Sequence, residues 1–256
     1  MNRQAQAAVL FLTGAAVLHA SFTDLYLRYV KAGLRPLLIA AGVVLIATAV
    51  ATVRYELRRP APKTGEGGGA ADGGGEGPGE ADGHGHAHRE PRVAWLLVLP
   101  LLALILVAPP ALGSYSAMHA GTALQQPFGY PGLPAGDPLR LSLVDYAGRA
   151  AYDHGRSLDG RRVEITGFVA LGRDGTPYLV RMALNCCAAD AQPVKVGLSG
   201  RVPPVLQPDT WLVVVGTYTG RRTTDPVNGG RIPFIDVDRA RPVPAPRDPY
   251  DESWNS

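Results

Sequence analysis

Hydrophobic and polar positions divide the chain into two parts that follow different rules. In the first part, apolar residues run almost unbroken over 7–26, 34–53 and 93–112, and each run is near the roughly 20 residues a helix needs to cross a bilayer core. The second and third runs hold no ionisable group beyond Arg35 at one entrance, and Trp95 opens the third, where an interfacial aromatic anchor belongs. Pro100, Pro109 and Pro110 in that third run predict a kink or an early stop. The first run contains His19 and, near its end, Asp24. Ionisable groups inside a bilayer are costly and normally face protein or a water path, so both are membrane-path candidates; the plainer alternative ends the helix near Phe22 and leaves both groups at the interface. Arg3 ahead of an apolar run ending at Ala20 and Ser21 has the look of a secretory signal, but no small-x-small site follows and a second span comes at once, so the reading is a retained helix.

From residue 137 to 250 the pattern changes. Asp137 followed by Pro138 predicts a helix start, with Leu139, Leu143, Val144, Ala147, Ala151 and Tyr152 at helical spacing up to His154 and Gly155. Alternation then sets in, with strands expected over 162–171, 178–184, 194–198, 211–219 and 232–237 and a turn at Asp174 and Gly175. Closing five short strands on themselves removes exposed edges. The expected fold is therefore a membrane α-helical N-terminal region (1–53 plus a third helix at 93–112) and a mainly β C-terminal domain, an OB-like small barrel with a short preceding helix, over 137–250. Residues 251–256 read as a tail.

Two connections separate these parts. Residues 54–92 are rich in Gly and offer almost nothing to bury, which predicts a disordered loop; neither G-x-G-x-x-G nor G-x-x-x-x-G-K-[ST] occurs in it, so phosphate cradling is excluded. His84, His86 and His88 alternate there, either as incidental solvated side chains or as a mobile tract that picks up zinc or another divalent ion. Residues 113–136, with Pro127, Pro131 and Pro134, predict an extended linker.

Charge refines the picture. The chain carries 25 Lys and Arg against 22 Asp and Glu, but from Asp137 onward the numbers are 15 and 14, which leaves no basic stripe for phosphates and argues against nucleic acid as a partner. Beside the apolar runs, Arg3, Arg54, Arg58, Arg59, Lys63, Arg89 and Arg92 would share one side of a membrane and Arg28, Lys31 and Arg35 the other. That bias predicts a cytoplasmic N-terminus and an extracytoplasmic β domain, where thiols oxidise.

Candidate chemistry centres on M-A-L-N-C-C-A-A-D-A-Q-P. Neighbouring residues of a strand point to opposite faces, so Cys186 and Cys187 serve one purpose only if the chain turns, and Ala188, Ala189 and Pro193 leave room for a turn. Vicinal thiols suit zinc, another divalent ion or a soft metal, with Asp190 or a distant His154 or His119 completing the shell. Three rivals stand beside this: a labile thiol–disulfide pair, a nucleophilic cysteine with His154 as its base, and a small buried residue with no chemistry.

The order of N-terminal membrane helices, a His/Gly loop, then G-R-R-V-E-I-T-G-F-V, L-N-C-C-A-A-D-A-Q-P, W-L-V-V-V-G-T-Y, I-P-F-I-D-V and a closing P-Y resembles the YcgQ-like permease-subunit membrane proteins of bacteria over nearly the whole chain. That resemblance implies a multispanning permease as partner in a two-component complex, and supplies neither a substrate nor a catalytic residue. The expected function is an integral membrane accessory subunit, not an enzyme, whose cysteine turn binds metal or exchanges thiol states; the alternatives are a membrane-tethered thiol oxidoreductase and a structural interaction module.

Overall fold

The computed structural model describes residues 3–58, 107, 110–133 and 135–251. Most of the expected third span, most of the 54–92 loop, and His84, His86 and His88 fall outside them.

Two helices, α1 (Arg3–Phe22) and α2 (Arg35–Arg58), are long and apolar enough to cross a membrane. α1 stops four residues short of the expected end. Thr23 takes an extended conformation, with φ −103° and ψ 149°, and its hydroxyl donates to the carbonyl of His19 at 2.8 Å, so Asp24 begins a 3-10 turn beyond the helix (Asp24–Arg28). α2 instead runs past Val53 to Arg58, because Arg54, Leu57 and Arg58 favour helix and the cations suit its C-terminal end. The helices approach closely at two glycines. A Cβ on Gly14 would lie 2.9 Å from the carbonyl oxygen of Gly42, and one on Gly42 would lie 2.8 Å from Leu18, the small-residue contact that apolar helices use where lipid gives no drive to associate.

The chain divides into two compact units, and the second combines residues 19–38 with residues 108–256. Its centre is a closed barrel of five strands: β2 (Arg162–Leu171), β3 (Pro177–Ala183), β4 (Gln192–Gly200), β5 (Trp211–Thr224) and β6 (Arg231–Pro242). They join in the order β2-β5-β6-β4-β3 and β3 pairs back to β2. The β4–β6 pairing is parallel and the other barrel pairings are antiparallel, the Greek-key closure of an OB-like barrel. β1 (Leu139–Arg140) and β7 (Tyr250–Asp251) add short parallel edges to β2 and β3.

The barrel interior is filled by the inward alternate residues, among them Val163, Ile165, Leu179, Val196, Leu212, Val214 and Ile235. One helix closes it, Leu143–Tyr152, burying Leu143, Tyr146, Ala147 and Ala151. This helix begins later than expected. Asp137–Pro138 is a cis peptide, and the Asp137 carboxylate is taken by Arg162, whose Nε and Nη2 donate to it at 3.0 and 2.8 Å. The N-cap is Ser142, whose hydroxyl accepts from the Asp145 N–H at 3.0 Å.

The 113–136 connection is not extended throughout: Ser114–His119 forms a short helix. Its buried Ala117 joins Phe168, Val180, Met182 and Tyr250 in a second apolar cluster. That cover explains why the last part of β2 is buried on both faces. Among the described residues the α-helices in chain order are thus α1, α2, α3 (Ser114–His119) and α4 (Leu143–Tyr152).

Candidate metal centre at the vicinal cysteines

Residues 184–191 connect β3 to β4, and the chain turns there as two co-operating sulfurs require. Leu184 still donates its N–H to the carbonyl of Asp251 at 3.3 Å. One residue later the backbone N–H groups point inward on a carboxylate: Asn185 donates to Asp190 Oδ1 and Cys186 to Oδ2, each at 3.0 Å. A 3-10 turn, Ala188–Asp190, then carries the chain into β4. Asp190 thus holds the loop closed around its own carboxylate.

The two sulfurs and one Asp190 oxygen lie within 4.8 Å of one another. Cys186 is exposed, Cys187 half-buried, and both are free thiols. Tetrahedral zinc at ordinary bond lengths separates two thiolates by roughly 3.8 Å, so the donors need to close by at most about 1 Å, within reach of side-chain rotation. Three protein donors and an exposed flank leave a coordination position open, the arrangement of exchanging rather than purely structural zinc.

The electrostatics make a thiolate costly unless a cation is present to offset it. Hydrogen bonding to Asp190, then to Cys187, together with desolvation and the nearby negative charge, pushes the Cys186 thiol up to about 11. Burial alone would raise the Asp190 carboxyl, but hydrogen bonds from the Cys186 side chain and from the N–H groups of Cys186, Asn185 and Cys187 outweigh it and hold the carboxyl below its usual range. At neutral pH Cys186 is therefore a thiol beside a carboxylate, poorly prepared to act as a nucleophile without a base.

The other sequence candidates lie elsewhere. His154 does not contribute to the ligand cluster; it is exposed, in a left-handed conformation with φ 53° past the end of α4, in a small hollow with Tyr218, Arg221 and Arg231. His119 is also exposed and its Nδ1 lies 2.7 Å from the carbonyl oxygen of Tyr115. His19 is exposed on α1, and Asp24 faces Arg247 at 3.6 Å.

Sequence reasoning gave no hint of the surroundings of the turn. Val30, from the connection between α1 and α2, forms an isolated antiparallel bridge with Cys187. The Tyr250 hydroxyl donates to the carbonyl of Arg28 at 2.9 Å and accepts from the Leu112 N–H at 3.2 Å. A cleft of about 890 Å³ opens beside this junction, bordered by Leu25, Arg28, Leu112, Phe168 and Trp211.

No curated protein and no solved structure matches the chain. Residues 147–251, from within α4 to the end of β7, match the DUF1980 C-terminal domain, a family of uncharacterised function.

Proposed function

We propose that the protein is an integral membrane accessory subunit whose extracytoplasmic barrel holds a zinc or similarly soft metal ion at Cys186, Cys187 and Asp190 for a partner permease. The observation that carries the metal half of this reading is the convergence of two thiols and a carboxylate within 4.8 Å on an exposed turn. Zinc would supply a positive charge that offsets the crowded carboxylate and sulfurs, and its open position would accept a ligand from the partner or water. The partner half rests on the resemblance to YcgQ-like permease subunits, and on the fact that a few helices enclose no polar path of their own.

Sidedness has a physical basis. The connection between α1 and α2 and the barrel belong to one compact unit, which supports their lying on one face of a membrane. With its 24 residues, α2 is roughly 36 Å long, enough to cross a bilayer core. The apolar run 93–112 has the length and composition for the third crossing this reading requires. The basic side chains beside the apolar runs favour the N-terminus inside.

Since the chain has only 2 cysteines, a membrane-impermeant maleimide reports directly on this turn. After treatment with an impermeant chelator and reductant to free both thiols, labelling of intact cells is expected; labelling only after lysis would place the barrel on the cytoplasmic side. Full-length protein purified in detergent should carry about one zinc per chain, released by a chelator, and Cys187→Ser should carry none. Equal metal content in variant and wild type by elemental analysis would remove the metal reading.

A further inference from the structure

The turn that carries the cysteines is also the place where the connection between the two apolar helices attaches. Around the Val30–Cys187 bridge, Ala188 donates its N–H to the carbonyl of Tyr29 at 2.7 Å, and Lys31 donates its N–H to the carbonyl of Cys186 at 3.0 Å. The peptide groups on either side of Cys187 are therefore engaged by residues 29–31. We infer that metal binding at Cys186, Cys187 and Asp190 is coupled to the docking of residues 29–31, so that site occupancy is transmitted to the turn joining α1 and α2. This rests on the metal reading above.

Three features support the coupling. First, drawing the two sulfurs together to roughly 3.8 Å around a zinc ion fixes the torsions of Cys186 and Cys187, and these same residues present the carbonyl and the extended backbone that the bridge uses. Cys187 already has the extended conformation, φ −153° and ψ 167°, that bridging requires, so a metal that locks it strengthens the attachment. Second, the attachment is small. It consists of two backbone hydrogen bonds, so a modest difference in zinc affinity between the docked and undocked states is enough to bias it. Third, the connection itself transmits displacement. Arg35, at the start of α2, donates through Nε to the carbonyl of Ser21 in the last turn of α1 at 3.0 Å, and its guanidinium lies 6.0 Å from the centre of the Tyr26 ring. A shift of residues 29–31 is therefore felt at both helix ends.

Coupling is reciprocal: if zinc strengthens the bridge, weakening the bridge must weaken zinc by the same factor. Lys31→Pro tests this without touching a ligand. Lys31 has φ −57° and ψ 140°, which proline adopts without strain, and the substitution removes only the N–H that Cys186 accepts from. In full-length protein in detergent, zinc affinity of Lys31→Pro is expected to fall about tenfold, within the 5- to 150-fold range typical of such coupling, whereas Lys31→Ala, which keeps the N–H, binds like wild type. In parallel, zinc should slow hydrogen exchange of the Ala188 amide in wild type and have no effect in Cys187→Ser. If wild type binds zinc and Lys31→Pro and Lys31→Ala bind it equally, the coupling is wrong and the metal site stands. If wild type binds no zinc, both fall.

Discussion

Asp225→Ala is expected to destabilise the barrel by about 3–5 kcal/mol, and Lys195→Met by clearly less. Lys195 and Asp225 form an ion pair at 2.7 Å with side chains 1% and 0% exposed. A buried pair of this kind is not a large net stabiliser, since both ions lose hydration, but removing one partner strands the other's charge. The two partners differ in what remains. Without Asp225, the Lys195 ammonium keeps only the carbonyl of Ala120, at 2.9 Å, and the N–H groups of Thr122 and Val227, which donate to the carboxylate at 2.9 Å each, lose their acceptor. Without Lys195, the Asp225 carboxylate still accepts from both N–H groups. Against the roughly 5–15 kcal/mol that holds a typical domain together, the first variant should melt many degrees below wild type, and the second should fall between them. Thermal melts of the purified full-length variants measure this directly. Equal melting temperatures for Asp225→Ala and Lys195→Met would show that the orphaned backbone donors carry no weight.

This pair also marks the limit of what the chain discloses by itself. A lysine inside the otherwise apolar segment Val194, Lys195, Val196 is odd, but nothing local names a partner 30 residues away. The barrel strands were legible because period-two alternation and turn residues are local signals: β2 runs over Arg162–Leu171 as expected, and β5 and β6 differ only by extending further. The start of α4 was misplaced because Asp137–Pro138 has the composition of a cap, while its carboxylate is claimed by Arg162 from β2, a tertiary interaction. The true signal, Ser142 followed three residues later by Asp145, stood in the sequence as a serviceable N-cap pattern. α3 was hidden by the prolines around it, and what holds it is long-range cover over Phe168. At the cysteines, the need for a turn and the suitability of Asp190 as a ligand were both readable. What was not readable is that Asp190 builds the turn, or that residues 29–31 fasten to it from far away in the chain.

That double role of Asp190 makes Asp190→Asn expected to weaken zinc severely, as the loss of one sulfur does, but by a different route. Cys187→Ser deletes a donor but leaves the loop framework, because Oδ1 and Oδ2 still accept from Asn185 and Cys186. In Asp190→Asn one oxygen becomes an NH₂ group facing a backbone N–H, so a charge-assisted hydrogen bond is replaced by a donor–donor contact. The turn opens, the anionic ligand disappears, and the sulfurs lose the frame that brings them within 4.8 Å of the third donor. Disturbing an orienting partner alone commonly costs 10–100-fold in metal affinity; with a ligand lost as well, the fall should exceed about a hundredfold. Competition with a chelating dye measures it, and an unchanged barrel melting temperature keeps the effect local. If Asp190→Asn binds zinc as tightly as wild type while Cys187→Ser does not, the carboxylate is neither a ligand nor the frame the sulfurs depend on, and the site must recruit its third donor elsewhere.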